Sequence, residues 1–429
     1  MADAPRAVAA AIGRAASLDP SEAASLRRRM IWVLFAISAL GSTGYIAAVT
    51  VGTLVAAELV GSASLSGMPA ASAVLGTAVA ASLLSSLMLR VGRRPGLLGG
   101  LLVGVGGASM AVGAILLGSL PLLLVGSALT GFANGAGNLG RYVASDLVPP
   151  TRRASAIGTV VWGSTIGAVT GPNLVAPAGE LASALGLPEL AGAYVLTFTF
   201  IGLAWLLAFA LLRPEPYVLA DPTALAMHDD ATPAPSAAAV LRRPAVLVAL
   251  VTLVIGQVVM VLIMTMTPIH LMDHGHGLAT VGFVLSAHTF GMFALSPISG
   301  RLTDRFGSPR IIVAGLGTLA LSAFLAAVAP PDGGFLLTLA LFLLGYGWNL
   351  GFVAGSALLT RGLALGERTR IQGITDGLTW GSAAIAGVSS GLVVAGASYT
   401  VLGFVGLALT ILPIALLVVH RTPLRAVTA

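Results

Sequence analysis

Two pairs of residues in the middle of the chain have types and spacing that could do chemistry, Met260-x-x-x-Met264 and His288-x-x-x-Met292. At i,i+4 spacing the members of each pair share one helix face. Thioether sulfur and imidazole nitrogen are soft donors, and a set of them without a carboxylate suits Cu(I). Five of the eleven methionines and four of the six histidines fall between residues 260 and 292, so the region is enriched in such donors. His270, His274 and His276, with Asp273, stand between the two pairs as a possible capture station for a metal ion. The chain has no cysteine, so any soft site must be built from methionine and histidine, and disulfides and thiolate catalysis are excluded. A plainer reading stands beside this one: methionine is a common apolar filler, and a buried histidine also serves as a hydrogen-bonding or proton-carrying group.

A second set of residues suits an organic ligand. Tyr45, Asn134, Asn138, Gln257 and Asn349, together with Trp162, Tyr346, Trp348 and Trp380, offer polar and aromatic groups for a planar ring; helix packing and interfacial anchoring are the alternative. Acidic catalysis is not foreseen. Asp146 and Asp376 fall near helix ends on one side and Glu58 near an end on the other, and Arg141 reads as an arginine that snorkels to the interface. With no nucleotide-binding loop, metallohydrolase pair or acid–base pair, the chain is not expected to be an enzyme or to hold a cofactor.

The elements that must position these residues follow from composition. Of 429 residues, 57% are hydrophobic and only 9% charged, with a mean hydropathy of +0.98. A soluble domain carries roughly 25% charged residues, which excludes soluble enzymes, disordered regulators and nucleic-acid binders. Apolar runs at 30–57, 66–89, 95–118, 120–145, 155–177 and 191–212, then 245–269, 277–299, 310–329, 334–360, 372–396 and 400–420 predict an all-α membrane protein with twelve transmembrane helices in two six-helix bundles. The expected organisation is a tail over 1–29, bundles over 30–212 and 245–420, a solvated linker over 213–244 and a tail over 421–429. The run after Arg27-Arg28-Arg29 is too long for a signal peptide core and reads as a retained first span. With the N-terminus inside, all 22 basic residues, every one an arginine, fall on the inner side, and Glu58, Glu180, Glu189, Asp273 and Asp332 fall outside. The positive-inside rule thus predicts a multi-pass protein of the bacterial cytoplasmic (inner) membrane with both termini cytoplasmic. The net charge of +6 reports this orientation, not nucleic-acid binding. At ~1.5 Å per residue, Met264 and His288 lie ~12–17 Å below the outer boundary, approaching the middle of a ~30 Å core.

The halves echo one another. Gly300-x-x-x-Asp304-Arg305-x-Gly307 follows span 8; Arg90 and Gly92, after span 2, stand 215 residues before Arg305 and Gly307, with Leu89 in the place of the acid. Trp162-Gly163-Ser164 reappears as Trp380-Gly381-Ser382. The Gly300–Gly307 motif resembles the inner-loop signature of the major facilitator superfamily, and Asp146-x6-Arg153 resembles that family's acid–arginine pair. The resemblance implies alternating-access transport, with Gly300, Asp304, Arg305, Gly307, Arg90, Gly92, Asp146 and Arg153 in gating roles. Gly167-x-x-x-Gly171-Pro172 resembles a motif of antiporters, with helix packing as the plainer reading. The stretch Met264-Thr-Met-Thr-Pro268-Ile-His270, with His288-Thr-Phe-Gly-Met292, resembles the CcoA-like copper transporters of the same superfamily. That branch implies copper uptake, with Met260, Met264, His288 and Met292 as metal ligands. The alternative is a carrier of an organic solute, by riboflavin-like uptake or proton-antiport drug efflux. Expected partners are the lipid bilayer and a small solute or copper ion, with no nucleic acid, and the chain is expected to act as a monomer.

Overall fold

The computed structural model describes residues 19–61, 65–220, 236–330 and 334–420. Most of the expected N-terminal tail, linker residues 221–235, Asp332 and the tail over 421–429 lie outside the described residues. Twelve long helical elements follow in order: α1 (Pro20–Val60), α2 (Met68–Val91), α3 (Arg93–Leu116), α4 (Leu120–Asp146), α5 (Arg153–Asn173) and α6 (Ala191–Leu211). Then come α7 (Pro244–Asp273), α8 (Leu278–Phe293, resuming as Ser296–Phe306), α9 (Ser308–Val328), α10 (Gly334–Leu359), α11 (Leu365–Gly396) and α12 (Tyr399–Leu409, continuing as Ile411–Val419). No strand occurs among the described residues.

Eleven of these elements are long and apolar enough to cross a membrane. The twelfth, α5, is 21 residues long but carries Ser155, Thr159, Ser164, Thr165 and Thr170. It is more polar because it packs on α1 of its own half and on α8 of the other, so less of it faces lipid. Gly167 and Gly171 of α5 lie against Ser42, Thr43 and Ile46 of α1, which is the packing role for that motif.

Local chemistry sets the ends. Asp19 accepts a hydrogen bond from the Ser21 N–H and starts α1 ten residues before the apolar run begins. Proline stands in the first turn of α2, α4, α7 and α9, where a missing N–H costs nothing. Gly92 (φ 100°, ψ 167°) and Gly307 (φ 86°, ψ 145°) each end one helix and start the next in the same left-handed conformation. These are the two echoed loop glycines, and both occupy φ values that side-chain-bearing residues rarely adopt.

The internal repeat extends to packing. In the first half α1 packs on α5 and α6, α2 on α4, and α3 on α4 and α6; in the second, α7 packs on α11 and α12, α8 on α10, and α9 on α10 and α12. The halves join through α2 with α11 and α5 with α8. Small residues allow this approach: a Cβ at Gly300 would lie 2.6 Å from the Ala154 carbonyl oxygen, and one at Gly373 would collide with the Ser85 side chain.

Pro297 interrupts α8. Its missing N–H leaves the Phe293 carbonyl without the usual i+4 donor, and Ser296 Oγ donates to that oxygen instead at 2.7 Å. Asn349 Nδ2, from α10, donates to the Met292 carbonyl at 2.7 Å.

Candidate substrate site and the gate beneath it

Ten hydrogen bonds between the two halves lie toward the end of the bundle that carries the linker. Asp304, on α8, accepts from the backbone N–H of Ala154 (3.1 Å) and Ser155 (2.9 Å), capping α5 of the opposite half. A carboxylate at a helix N-terminus satisfies orphan donors and the positive end of the helix dipole together. The first-half copy has no such latch. Leu89 packs against Gly366 in the first turn of α11, and that helix is capped by its own Glu367, which accepts from the Ala364 N–H.

Asp146 does not pair with Arg153, as the spacing of the two suggested. It holds Arg93 at 2.7 Å with both side chains buried, and Arg368 of the other half at 3.5 Å. Arg93 also donates to Gln372 Oε1 (2.8 Å), across the seam. Arg153 donates to the Thr360 carbonyl (2.9 Å), a separate tie between halves. Arg90 and Arg305 are exposed; the guanidinium of Arg305 lies over the Phe306 ring.

The segment after α6 straps the same end. Glu215 accepts from the N–H groups of Arg93 (2.6 Å) and Arg94 (3.2 Å) at the start of α3. Burial pushes the Glu215 carboxyl above the usual carboxylate range, against those backbone bonds. Tyr217 hydrogen-bonds Thr369 of α11 and lies under the Arg93 guanidinium, and Arg27 donates to the Leu219 carbonyl.

Above this layer sits a second ion pair that local reading missed. Arg141, only 1% exposed, does not snorkel: its Nη2 lies 2.7 Å from Asp376 Oδ1 of the other half. Tyr142 donates to the same oxygen at 3.0 Å, and Arg141 Nε donates to Ser356 Oγ at 3.2 Å. The guanidinium is sandwiched between the rings of Tyr142 (4.2 Å) and Phe352 (4.3 Å). Asp376 is the twelfth residue of α11, so it lies ~16 Å along that helix. Its depth was hidden because α11 begins well before its apolar run. One turn from the pair, away from the linker end, stand Asn138 on α4 and Trp380 on α11. Asn138 Nδ2, Trp380 Nε1 and Asp376 Oδ2 are all buried without a hydrogen-bond partner.

The other cavity candidates are committed to their own halves. Asn134 donates to Thr77 Oγ1 (3.2 Å), and Tyr45 is half-buried on α1. Gln257 accepts from Trp348 Nε1 (2.9 Å). Asn349 is fully occupied by Met292, Ser296 and Ser299. Sequence alone cannot separate such interhelical ties from ligand groups, since both call for a polar residue in an apolar helix.

The soft-ligand residues are set around α10. His288 is buried, with Nδ1 2.9 Å from the Leu341 carbonyl; the oxygen can only accept, so Nδ1 carries the proton and Nε2 is left with a lone pair. Nε2 has no partner, thioether sulfur included. Met260 is buried, and Met264 and Met292 are half-buried against the core. Helices α7 and α8 each pack along α10 and touch each other little, so the two pairs stand on helices that both flank α10. Nor do the loop histidines form a ready-made centre: among the described residues no three His, Cys, Asp or Glu side chains converge. His270 stacks on Tyr399 (4.2 Å between centroids), and His274 Nδ1 is bonded to the His270 carbonyl. His276 lies in the turn that follows, its N–H donating to the Leu271 carbonyl.

Comparison with known proteins agrees with this architecture. The family model described as Major Facilitator Superfamily matches residues 31–388 and 262–429. An uncharacterized MFS-type transporter, YddS of Bacillus subtilis, is 38% identical over 400 residues, covering 92% of this chain and 91% of the relative. The riboflavin transporter RfnT of Brucella anthropi is 30% identical over 370 residues, covering 86% of this chain and 89% of the relative. The crystal structure of the human organic anion transporter MFSD10 superimposes with a TM-score of 0.71 at 17% identity, covering 93% of this chain and all of that one. These likenesses reach the superfamily and do not extend to a copper-transporting branch. The chain is a multi-pass membrane carrier rather than an enzyme, and it belongs to the major facilitator superfamily.

Proposed function

We propose that this chain is a secondary transporter of the bacterial cytoplasmic membrane that takes up a planar organic solute of the flavin class by alternating access. The arginine-rich linker end faces the cytoplasm, and the chain works as a monomer driven by gradients. In this reading the structure is the state closed at the cytoplasmic end: Asp304, Arg93 and Arg141 tie the halves there, and the Arg141–Asp376 pair, the tie farthest from that end, is taken as the floor of the transport path. The observation that carries the reading is the pair of buried donors without acceptors, Asn138 Nδ2 and Trp380 Nε1, one turn above that floor. Unpaired buried donors cost about 1–3 kcal/mol each, and a cargo rich in carbonyl acceptors satisfies them. The likeness to a riboflavin transporter supports the same class of cargo. Rescue of a riboflavin auxotroph without its own uptake system is the test. Failure of rescue with the protein detected in the membrane defeats the flavin reading.

A second reading, Cu(I) uptake through Met260, Met264, His288 and Met292, is favoured by one observation, the buried lone pair of His288 Nε2. It requires the thioethers to swing toward that nitrogen during transport. Equal copper uptake by wild type, Met264→Leu and His288→Ala would remove it.

A further inference from the structure

Helix α11 carries a stripe at Gln372, Asp376 and Trp380, each one turn from the next and each with a buried polar atom that lacks a partner: Gln372 Nε2, Asp376 Oδ2 and Trp380 Nε1. Across the seam, Tyr142 of α4 donates to Asp376 Oδ1. Asn138 shares the helix face of Tyr142 at i,i+4 spacing, one turn farther from the linker end on α4, as Trp380 is one turn farther than Asp376 on α11. The other carboxylate oxygen, Oδ1, is consumed by Arg141 and Tyr142. Three groups therefore remain at the floor: an amide N–H, a carboxylate oxygen and an indole N–H.

Resting on the flavin-class reading above, we infer that these three groups form a donor–acceptor–donor edge that recognises a cyclic imide. An imide presents two carbonyl acceptors flanking one N–H, the complement of Asn138 Nδ2, Asp376 Oδ2 and Trp380 Nε1. The ring edge of a flavin has this pattern, as do uracil and thymine. Two of the members are held by something other than the cargo. Arg141 and Tyr142 fix the carboxylate through Oδ1. The Asn138 carbonyl accepts from Arg141 Nη1 at 2.6 Å, tying the backbone of that turn to the same guanidinium. The edge thereby links cargo to gate: the imide N–H bonds the carboxylate whose other oxygen holds the two halves together. Sites built to hydrogen-bond a substrate N–H reject analogues that lack it, because their own buried groups are then left unpaired.

The test is competition against labelled riboflavin uptake in cells expressing the protein. A ring-only flavin that keeps the imide should compete about as well as riboflavin, and riboflavin methylated on its imide nitrogen should compete at least about tenfold more weakly. Trp380→Phe, which keeps the ring and deletes the N–H, and Asn138→Ala should each raise the half-saturating riboflavin concentration about tenfold. Equal competition by the methylated compound overturns the imide edge and leaves flavin transport standing. Binding of labelled uracil and thymine to the purified protein, compared with their imide-N-methyl forms, separates the two ideas. Selective binding of the unmethylated imides without riboflavin uptake overturns the flavin reading and upholds the edge; no binding with no uptake overturns both.

Discussion

Removing the Asp304 carboxylate should unbalance the carrier in a measurable direction. Asp304 makes two charge-assisted bonds across the halves, to Ala154 N at 3.1 Å and Ser155 N at 2.9 Å, at the start of α5. Hydrogen bonds to a charged group contribute about 1.5–3 kcal/mol each. Because both share one carboxylate, and water can reach part of the site, Asp304→Ala should cost the linker-end-closed state about 2–4 kcal/mol. That corresponds to a shift of roughly 30- to 700-fold in the equilibrium between closed and open states. The natural absence of cysteine makes spin labelling direct. Leu117→Cys and Phe335→Cys, 75% and 82% exposed, mark opposite halves at the end away from the linker. Electron–electron distance measurement should show the long separation of the wild type giving way to a shorter one in Asp304→Ala as that end closes. Leu89→Asp, which places a second acid beside the first turn of α11, should oppose the change. If the Asp304→Ala distance distribution superimposes on that of wild type in a folded, membrane-inserted protein, Asp304 does not latch the gate.

Three further outcomes are expected. Gly373→Ala drives a methyl into Ser85, whose Cβ and Oγ are both too close to yield, and should lower the melting temperature and block transport through about 1–3 kcal/mol of overpacking; fluorescence-detected thermal unfolding reads the first effect and uptake the second. Asn349→Leu strands the Met292 carbonyl and the Ser299 hydroxyl beside the α8 kink, so a loss of about 2–4 kcal/mol in stability should appear in the same unfolding assay, and a melting temperature equal to wild type would contradict the role assigned to it. Glu215 has its carboxyl pushed up by burial; a raised folded value means the contribution to stability is fully present below the unfolded value and is lost as pH rises through the folded one. Glu215→Gln should therefore flatten the decline in melting temperature on going from acid to neutral pH, and an unchanged slope would refute the assignment.

Local chemistry made much of the fold legible. Hydropathy counts spans because each must satisfy its own backbone hydrogen bonds in lipid, and α5 is found in this way although it is more polar than the other eleven. The echo of Gly92 in Gly307 becomes a shared left-handed conformation, since the same turn imposes the same constraint in both halves. Other readings failed for want of a partner. Arg141 looked like a snorkelling arginine because its acid, Asp376, is 235 residues away. Asn349 and Gln257 looked like cavity groups because a polar residue in an apolar helix looks the same whether it meets a ligand or a neighbouring helix.

The sequence by itself therefore determined twelve spans, a repeated half and the end of the bundle at which the arginines gather, all properties of segments shorter than about 30 residues. Only the tertiary structure decided that Asp304 caps the opposite half while Leu89 does not, that Arg141 meets Asp376, and that Asn138, Asp376 and Trp380 each keep a buried polar atom without a partner. The reason is physical. Burial and helix formation are set by neighbours along the chain, whereas a gate is made of groups 149 to 291 residues apart that meet only when two bundles close.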